Sequence, residues 1–330
     1  MRILIIGGTV FVGRHITEAA LATGHDVTVF HRGRSGADLF PRATHLTGDR
    51  NENLSALSAG RWDATIDVCA YFPRQVRSLA ETLDGRGGQY VFVSSTSAYR
   101  TPVAPGFNED APLAELGDPA TEEVTDETYG GLKVACERLA AELFARSGVT
   151  VVRPTYVVGP HDRTGRFTWW VERIARGGQV LAPGGAADPI QVIDARDQGN
   201  WITALAAGSV TGTFHAVSPA PPFGFGDLLE AIAAEVAPPG TTLTWVDAAF
   251  LLEAGETAES IPLWPGGDPE RDINVADPAR ALAAGLAPRP IRQTVADIHA
   301  AEQASPTPPR PGVGLTPDRE AELLAAWRAR

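Results

Sequence analysis

Lysine is almost missing from this chain. Of the 28 basic residues among its 330, only Lys133 is a lysine, and the rest are arginine. Guanidinium therefore meets nearly every need for positive charge, and a compact, rotatable ammonium is kept for one place. Cysteine is scarce too: Cys69 and Cys136 are the only two, and neither belongs to a cluster with metal-ligand spacing. They are expected to be buried thiols in a reducing, cytoplasmic setting, with no metal site. No apolar run approaches the length of a membrane span, so no membrane partner is expected. The opening Met1-Arg2-Ile3-Leu4-Ile5-Ile6 meets glycine too soon to be the apolar core of a signal peptide. Positive charge is also in deficit, with a formal net charge of −12. Such a chain is poorly suited to gripping a polyanion over its general surface. Nucleic acid is therefore not an expected partner, and an anionic ligand must sit in a local pocket.

The lone lysine has a telling neighbour. It lies four positions after a tyrosine, in Tyr129-Gly130-Gly131-Leu132-Lys133. On a helix this spacing projects the phenol and the ammonium to one side. A cation near a phenol stabilises phenolate and lowers its pKa from about 10. The pair is thus expected to act as a proton donor and acceptor near neutral pH. Gly130 and Gly131 each cost a helix about 1 kcal/mol relative to alanine, so something is expected to pack closely there.

Strand and helix patterns alternate through the first half. Ile3 to Ile6, Asp26 to Phe30, Ala64 to Cys69, Gln89 to Ser94 and Val149 to Val152 read as strands. Gly13 to Ala22, Pro73 to Leu83 and a stretch through Tyr129 to about Arg146 read as helices. This predicts an α/β fold with a doubly wound parallel sheet (Rossmann) and a smaller C-terminal α/β substrate-binding part. The dinucleotide-binding domain is expected over residues 1–155, with returning segments near 189–217. A mainly substrate-binding part is expected over 156–300, then a proline-rich linker and a C-terminal helix over 301–330. Thr316-Pro317-Asp318 reads as the N-terminus of that last helix.

Gly7-Gly8-Thr9-Val10-Phe11-Val12-Gly13 joins the first strand to the first helix. Glycine there lets backbone approach a pyrophosphate, and the helix N-terminus offers free N–H groups. The second strand ends in His31-Arg32-Gly33-Arg34, where NAD-preferring folds usually carry an acid. Arginine suits a 2′-phosphate instead, so NADP is expected through Arg32, with NAD as the alternative.

Four motifs follow one another: the glycine turn, a strand ending Ser94-Ser95-Thr96, the Tyr129/Lys133 pair, and Arg153-Pro154-Thr155-Tyr156-Val157-Val158-Gly159-Pro160. In this order they resemble the extended short-chain dehydrogenase/reductase superfamily, the NAD(P)-dependent epimerase/dehydratase group, over roughly residues 1 to 300. One departure is Val10, where the family usually has a middle glycine. That form is similar to an atypical branch which includes chloroplast stem-loop RNA-binding proteins.

The resemblance implies roles. Ser95 would hydrogen-bond the reacting oxygen, with Thr96 and Ser97 as stand-ins, and Tyr129 would move the proton. Lys133 would hold the nicotinamide ribose. Gly7, Gly8, Thr9, Phe11, Val12 and Gly13 would cradle the cofactor. Asp49 would contact its adenine, Cys69, Ala70 and Tyr71 would line its central ribose, Pro154 and Thr155 would approach its nicotinamide, and Arg50 is a further cofactor-binding candidate. Arg153 could instead serve a buried acid. Trp169, Trp170 and Trp264 are candidate walls for a small-molecule substrate, and His161, Asp162, Arg163 and Arg166 candidate loop contacts. Members acting on nucleotide-diphosphate sugars usually carry an arginine where this chain has Asp188, and another near Pro265 to Pro269. The expected activity is NAD(P)-dependent hydride transfer to or from a carbonyl or alcohol. The alternatives are an NAD-retaining sugar epimerase or dehydratase and, from another class, an RNA-binding or regulatory dinucleotide-binding protein. The helices over Pro73–Leu83 and Thr128–Arg146 are expected to pair in a homodimer.

Overall fold

The computed structural model describes residues 1–264, 273–306 and 310–330. Its frame is a seven-stranded, all-parallel sheet. The first half supplies β1 (Arg2–Ile6), β2 (Asp26–His31), β3 (Thr44–Thr47), β4 (Ala64–Asp67), β5 (Gln89–Val93) and β6 (Val149–Pro154). Three strands follow, β7 (Tyr156–Val158), β8 (Gln179–Pro183) and β9 (Val192–Asp194), before β10 (Gly212–Ala216) closes the sheet in the order β10-β6-β5-β4-β1-β2-β3. Chain order runs one way from β1 and the other way from β4. The crevice between the carboxyl ends of these two strands is the topological switch point, where doubly wound folds bind ligands.

Helices cover both faces, which is why the strands read as continuous apolar runs. On one face, α1 (Phe11–Ala22) packs against α5 (Ala195–Ala207), with Ile16, Ala20, Ile202 and Leu205 in the shared core. The other face carries α2 (Pro73–Leu83) and α3 (Asp126–Leu143), with Val76, Leu79, Cys136 and Leu139 meeting Tyr90 and Phe92. Leu132 and Leu139 are thereby buried in the chain's own core. Among the described residues, the exposed large hydrophobics all lie outside α2 and α3. Both cysteines are free.

The later chain builds a second apolar cluster from α4 (Arg166–Ala175), α6 (Phe225–Val236) and a short β8 pairing with β11 (Thr242–Val246). After α7 (Ala248–Glu253) and α8 (Ala279–Ala283), α9 (Ile291–Ala304) and α10 (Pro317–Arg328) join the same cluster. Thr316 caps α10 as its sequence indicates, accepting from the Arg319 N–H. Trp170 and Trp264 are fully buried in this core, and Trp170 Nε1 donates to the Pro262 carbonyl at 2.6 Å. They are packing residues and not walls of a substrate site. Strand β8, β11 and helix α9 were not legible in the sequence. The stretch 265–269, where the resemblance implies a second sugar-nucleotide arginine, lies outside the described residues.

Candidate active site

The glycine turn follows β1 directly into α1. Gly7 holds φ +88°, and a Cβ there would come within 2.9 Å of Cys69 Sγ. A Cβ at Gly13 would collide with the Gly7 carbonyl oxygen, so the first turn of α1 lies flat on the loop only because both are glycine. Val10 caps α1 without any side-chain hydrogen bond, and the first turn carries no acid. Its leading N–H groups have no intrahelical acceptor, so this end favours an anion.

That end opens on a cavity of about 740 Å³ at the switch point. Gly7, Thr9, Phe11, Val12, Gly13, Arg32, Asp49, Arg50 and Cys69 all line it, and so do Val10, Arg34, Tyr71 and Val124. Gly8, Ala70 and Pro154 do not line it. Gly8 is packed on Thr17 and Val29, Ala70 is fully buried, and the Pro154 carbonyl accepts from Thr96 Oγ1 at 3.2 Å. Arg50 borders the cavity, yet its guanidinium turns inward and pairs with the fully buried Asp67 at 2.6 Å. Burial would lower its pKa, but the Asp67 carboxylate outweighs that and raises it. Arg50 thus holds the β4 end in place rather than reaching outward. Asp49 accepts from the Asn51 N–H at 2.9 Å, which holds its carboxyl below the usual range, with Arg32 and Arg34 adding to the effect.

Among the described residues, three of the six exposed large hydrophobics, Val10, Tyr71 and Val124, ring this cavity. Apolar side chains gathered at a pocket mouth mark a surface that a ligand can cover. Tyr71 is signalled by its place after β4, whereas Val124 sits in the acidic run Thr121-Glu122-Glu123-Val124-Thr125 and carries no signal of its own.

Beyond Tyr71 stands the pair on α3. The Tyr71 and Tyr129 rings lie 6.3 Å apart. Lys133 is 3% exposed, and its Nζ donates to the carbonyls of Ala70 at 3.0 Å and Val93 at 2.9 Å. An ammonium has three donors, so one remains without a partner among the described residues. Nζ lies 6.0 Å from the Tyr129 ring centroid. Burial brings the lysine's pKa down to about 8. Burial pushes the Tyr129 phenol up to about 12, with Tyr71 adding and the Ser95 hydrogen bond opposing. The expected lowering of the phenol by Lys133 is therefore not found. Desolvation of the phenol dominates, opposed by the Ser95 hydrogen bond and the Arg166 charge.

Ser95 is the N-cap of a short turn at Thr96–Ala98. Its Oγ lies 3.1 Å from both the Ser97 N and Oγ. Thr96 is buried and turned away. The close packing foreseen at Gly130 and Gly131 is against protein: a Cβ at Gly130 would meet the Ser97 carbonyl, and one at Gly131 would come within 2.8 Å of Leu116. A buried network braces these strand ends from behind. Arg153 forks onto Glu137 and donates to Tyr99 Oη at 2.7 Å. Glu137 also accepts from Ser94, and Tyr99 meets His215. Arg153 is thus the partner of a buried acid.

In the following loop, Asp162 is buried and binds Thr164 at Oγ1 and N, His161 stacks on His15, and Arg163 is exposed. Arg166 lies over the Tyr156 ring at 5.1 Å. Asp188 closes a turn by accepting from the Gly185 N–H at 2.8 Å. Among the described residues no group of three or more histidine, cysteine, aspartate or glutamate side chains could hold a metal, and no helix is long and apolar enough to cross a membrane.

A doubly wound parallel sheet with a glycine turn and a cavity at its switch point is a Rossmann-type α/β fold. Residues 56–213 match the NAD dependent epimerase/dehydratase family, the group that the motifs of the sequence resemble. The Arabidopsis thaliana chloroplast stem-loop binding protein of 41 kDa b is 29% identical over 201 residues, 55% of this chain and 49% of that one. The chain thus spans about half the length of this curated relative. Among solved structures, the UDP-N-acetylglucosamine 4-epimerase from Bacillus cereus superposes with a TM-score of 0.67 at 15% identity, covering 95% of this chain and 99% of that one. The Bordetella bronchiseptica enzyme WbmH in complex with NAD+ gives 0.68 at 18%, covering 92% and 99%. At these identities the likeness is one of fold.

Proposed function

We propose that this protein is an NAD(P)-dependent oxidoreductase of the extended short-chain type, acting on a carbonyl or alcohol of a small molecule, with NADP as its preferred cofactor. The observation that carries the reading is the continuity from the uncapped α1 terminus, along the cavity, to Tyr71 and the Tyr129/Lys133/Ser95 group. The residues fit a dinucleotide: a glycine cradle, free helix N–H groups, an apolar rim and one spare donor on a buried ammonium. Nicotinamide, when bound, supplies or accepts the hydride.

The chain's own residues do the rest. Ser95 orients the substrate oxygen and Tyr129 gives or takes its proton, while Lys133 spends its third donor on a ribose hydroxyl. A phenol held near 12 is protonated at neutral pH, which suits donation and hence net reduction of a carbonyl. NADP is supported by Arg32 and Arg34 at the cavity wall and by the lack of an acid at the end of β2.

The family's own description favours a second reading, an epimerase or dehydratase that keeps its NAD. Mass spectrometry of the nucleotide that co-purifies separates them. Retained NAD supports the second, and an empty site or NADP the first. Failure to bind either dinucleotide in calorimetry overturns both. The name of the Arabidopsis relative raises RNA binding, which a chain of charge −12 is poorly built for; salt-dependent RNA affinity would revive it. Assembly as a homodimer through α2 and α3 belongs to the same reading. A sedimentation mass near 34.9 kDa at micromolar concentration overturns that part alone.

A further inference from the structure

Two histidines stand behind the arginines of the cavity wall. His31 ends β2 and is 7% exposed; His45 lies beside it on β3. Their rings meet edge to face, with His31 Nε2 2.9 Å from His45 Nδ1. The Gly33 backbone N–H donates to His31 Nδ1 at 3.0 Å. That nitrogen must then be bare, so the ring's proton is on Nε2 and points at His45 Nδ1. His45 Nδ1 accepts, so its proton is on Nε2, 3.2 Å from the Phe40 carbonyl. The contacts admit one tautomer for each ring, and both rings are neutral.

The relay ties both ends of the loop that carries Arg32, Arg34 and Ser35. Phe40 holds φ +61°, a conformation costly for a bulky residue, and its carbonyl is where the relay ends. Gly36, between the two ends, comes so close to the glycine turn that a Cβ there would lie 3.1 Å from the Thr9 carbonyl oxygen. The loop's shape thus bears on both the arginines and the anion-binding turn.

We propose that His31 and His45 are positioning residues for the adenosine-ribose end of the cofactor, a proton-sensitive brace whose neutral form presents Arg32 and Arg34 to a 2′-phosphate. This rests on the dinucleotide reading above. Adding a proton to His31 Nδ1 sets it against the Gly33 N–H, and adding one to His45 Nδ1 sets it against His31 Nε2–H. Either breaks a hydrogen bond of the loop. Burial, and then the neighbouring His45, holds the His31 pKa below its ordinary value, so the brace is intact at neutral pH. The charged groups lining the cavity are Arg32, Arg34, Asp49 and Arg50, the last turned inward onto Asp67, and none makes a hydrogen bond to either ring.

Calorimetry with NADP and with NAD, from pH 8 down to 5.5, tests this. Wild type should lose NADP affinity by about tenfold more than NAD affinity as the pH falls, the equivalent of one good hydrogen bond to a charged group. His45→Ala should show that loss already at pH 8. His45→Gln, whose amide can accept from His31 and donate to Phe40 without titrating, should keep the preference and flatten its pH dependence. Nitrogen-15 NMR of the ligand-free wild type should find both Nδ1 atoms unprotonated at pH 7.5. NADP affinity that rises in acid means added charge and not the brace, and overturns the proposal, as does either ring in the other tautomer. A wild type binding neither dinucleotide overturns the cofactor reading and this proposal with it. NADP preference constant with pH overturns the brace alone.

Discussion

The Lys133 ammonium nitrogen sits 3.0 Å from the Ala70 carbonyl oxygen and 2.9 Å from that of Val93, on a side chain that is buried. The end of β5 and the segment after β4 are thus pinned to α3 through one side chain. A guanidinium is larger and planar, and it cannot serve both carbonyls while keeping a donor free for a third partner. Lys133→Arg is expected to lower kcat/KM by about a hundredfold or more, in the range of a lost general acid–base system. Steady-state kinetics with cofactor and substrate saturating check this, and near-normal turnover removes the lysine from the mechanism.

The same burial gives a pH profile. With its pKa at about 8, Lys133 carries its charge below that value and loses it above. Tyr129, near 12, stays protonated throughout this window. Activity that needs the ammonium should therefore fall as pH rises through about 8. Stability runs the other way: between about 8 and 10.5 the unfolded chain binds the lysine's proton and the native state does not, so this residue's contribution improves as pH rises. Opposite slopes in initial rate and in thermal midpoint between pH 7.5 and 9.5 are the expected result. Parallel slopes would assign the rate loss to unfolding.

At the far end of the cavity, Arg32 is exposed and has no carboxylate within ion-pairing distance among the described residues. If it meets a 2′-phosphate, Arg32→Ala should weaken NADP much more than NAD. A charge-assisted hydrogen bond contributes roughly 1.5–3 kcal/mol, which is about tenfold or more in selectivity. Fluorescence titration of both cofactors decides it, and equal weakening would return the ribose site to NAD.

The sheet was legible because its strands, buried on both faces, read as uninterrupted apolar runs between glycine and proline signals. Helix α2 begins and ends at the proline and leucine that mark it in the sequence. Strand β8 was missed because Gln179–Pro183 is short and ends in proline, and its partner β11 lies sixty residues on. The inward pairing of Arg50 was hidden for a different reason. Its place after β3 gives no sign that Asp67 waits beneath it, since an ion pair across the sheet leaves no local spacing. The phenol's raised pKa was likewise out of reach. The i, i+4 pattern reports that Tyr129 and Lys133 share a side of α3, but not how much water each has lost.

Gly130 tests whether that helix tolerates any side chain beside the tyrosine. A Cβ there would strike the Ser97 carbonyl, in the turn that Ser95 caps. The obstacle is backbone, so the helix or the turn must move. Overpacking of this kind costs about 1–3 kcal/mol. Gly130→Ala should lower the urea midpoint and reduce kcat with little change in cofactor affinity, because the cavity lies on the other side of Tyr71. An unchanged midpoint would mean the helix and turn adjust freely.

Arg153 and Glu137 carry the last prediction. Both are buried, and the guanidinium forks onto the carboxylate while also binding Tyr99 and the Glu109 carbonyl. Burial alone would lower the arginine's pKa, and the Glu137 hydrogen bond and charge raise it instead. Arg153→Met leaves Glu137 buried with Ser94 as its remaining hydrogen-bond donor, and should cost about 3–5 kcal/mol. Removing both charges, with Glu137→Leu added, leaves no orphaned ion and should recover a large part of that loss. Urea denaturation of the two single variants and the double variant closes the cycle. A double variant no more stable than Arg153→Met would mean that the arginine's bonds to Tyr99 and Glu109, and not its ion pair, hold the strand end on which Pro154 and Thr155 stand.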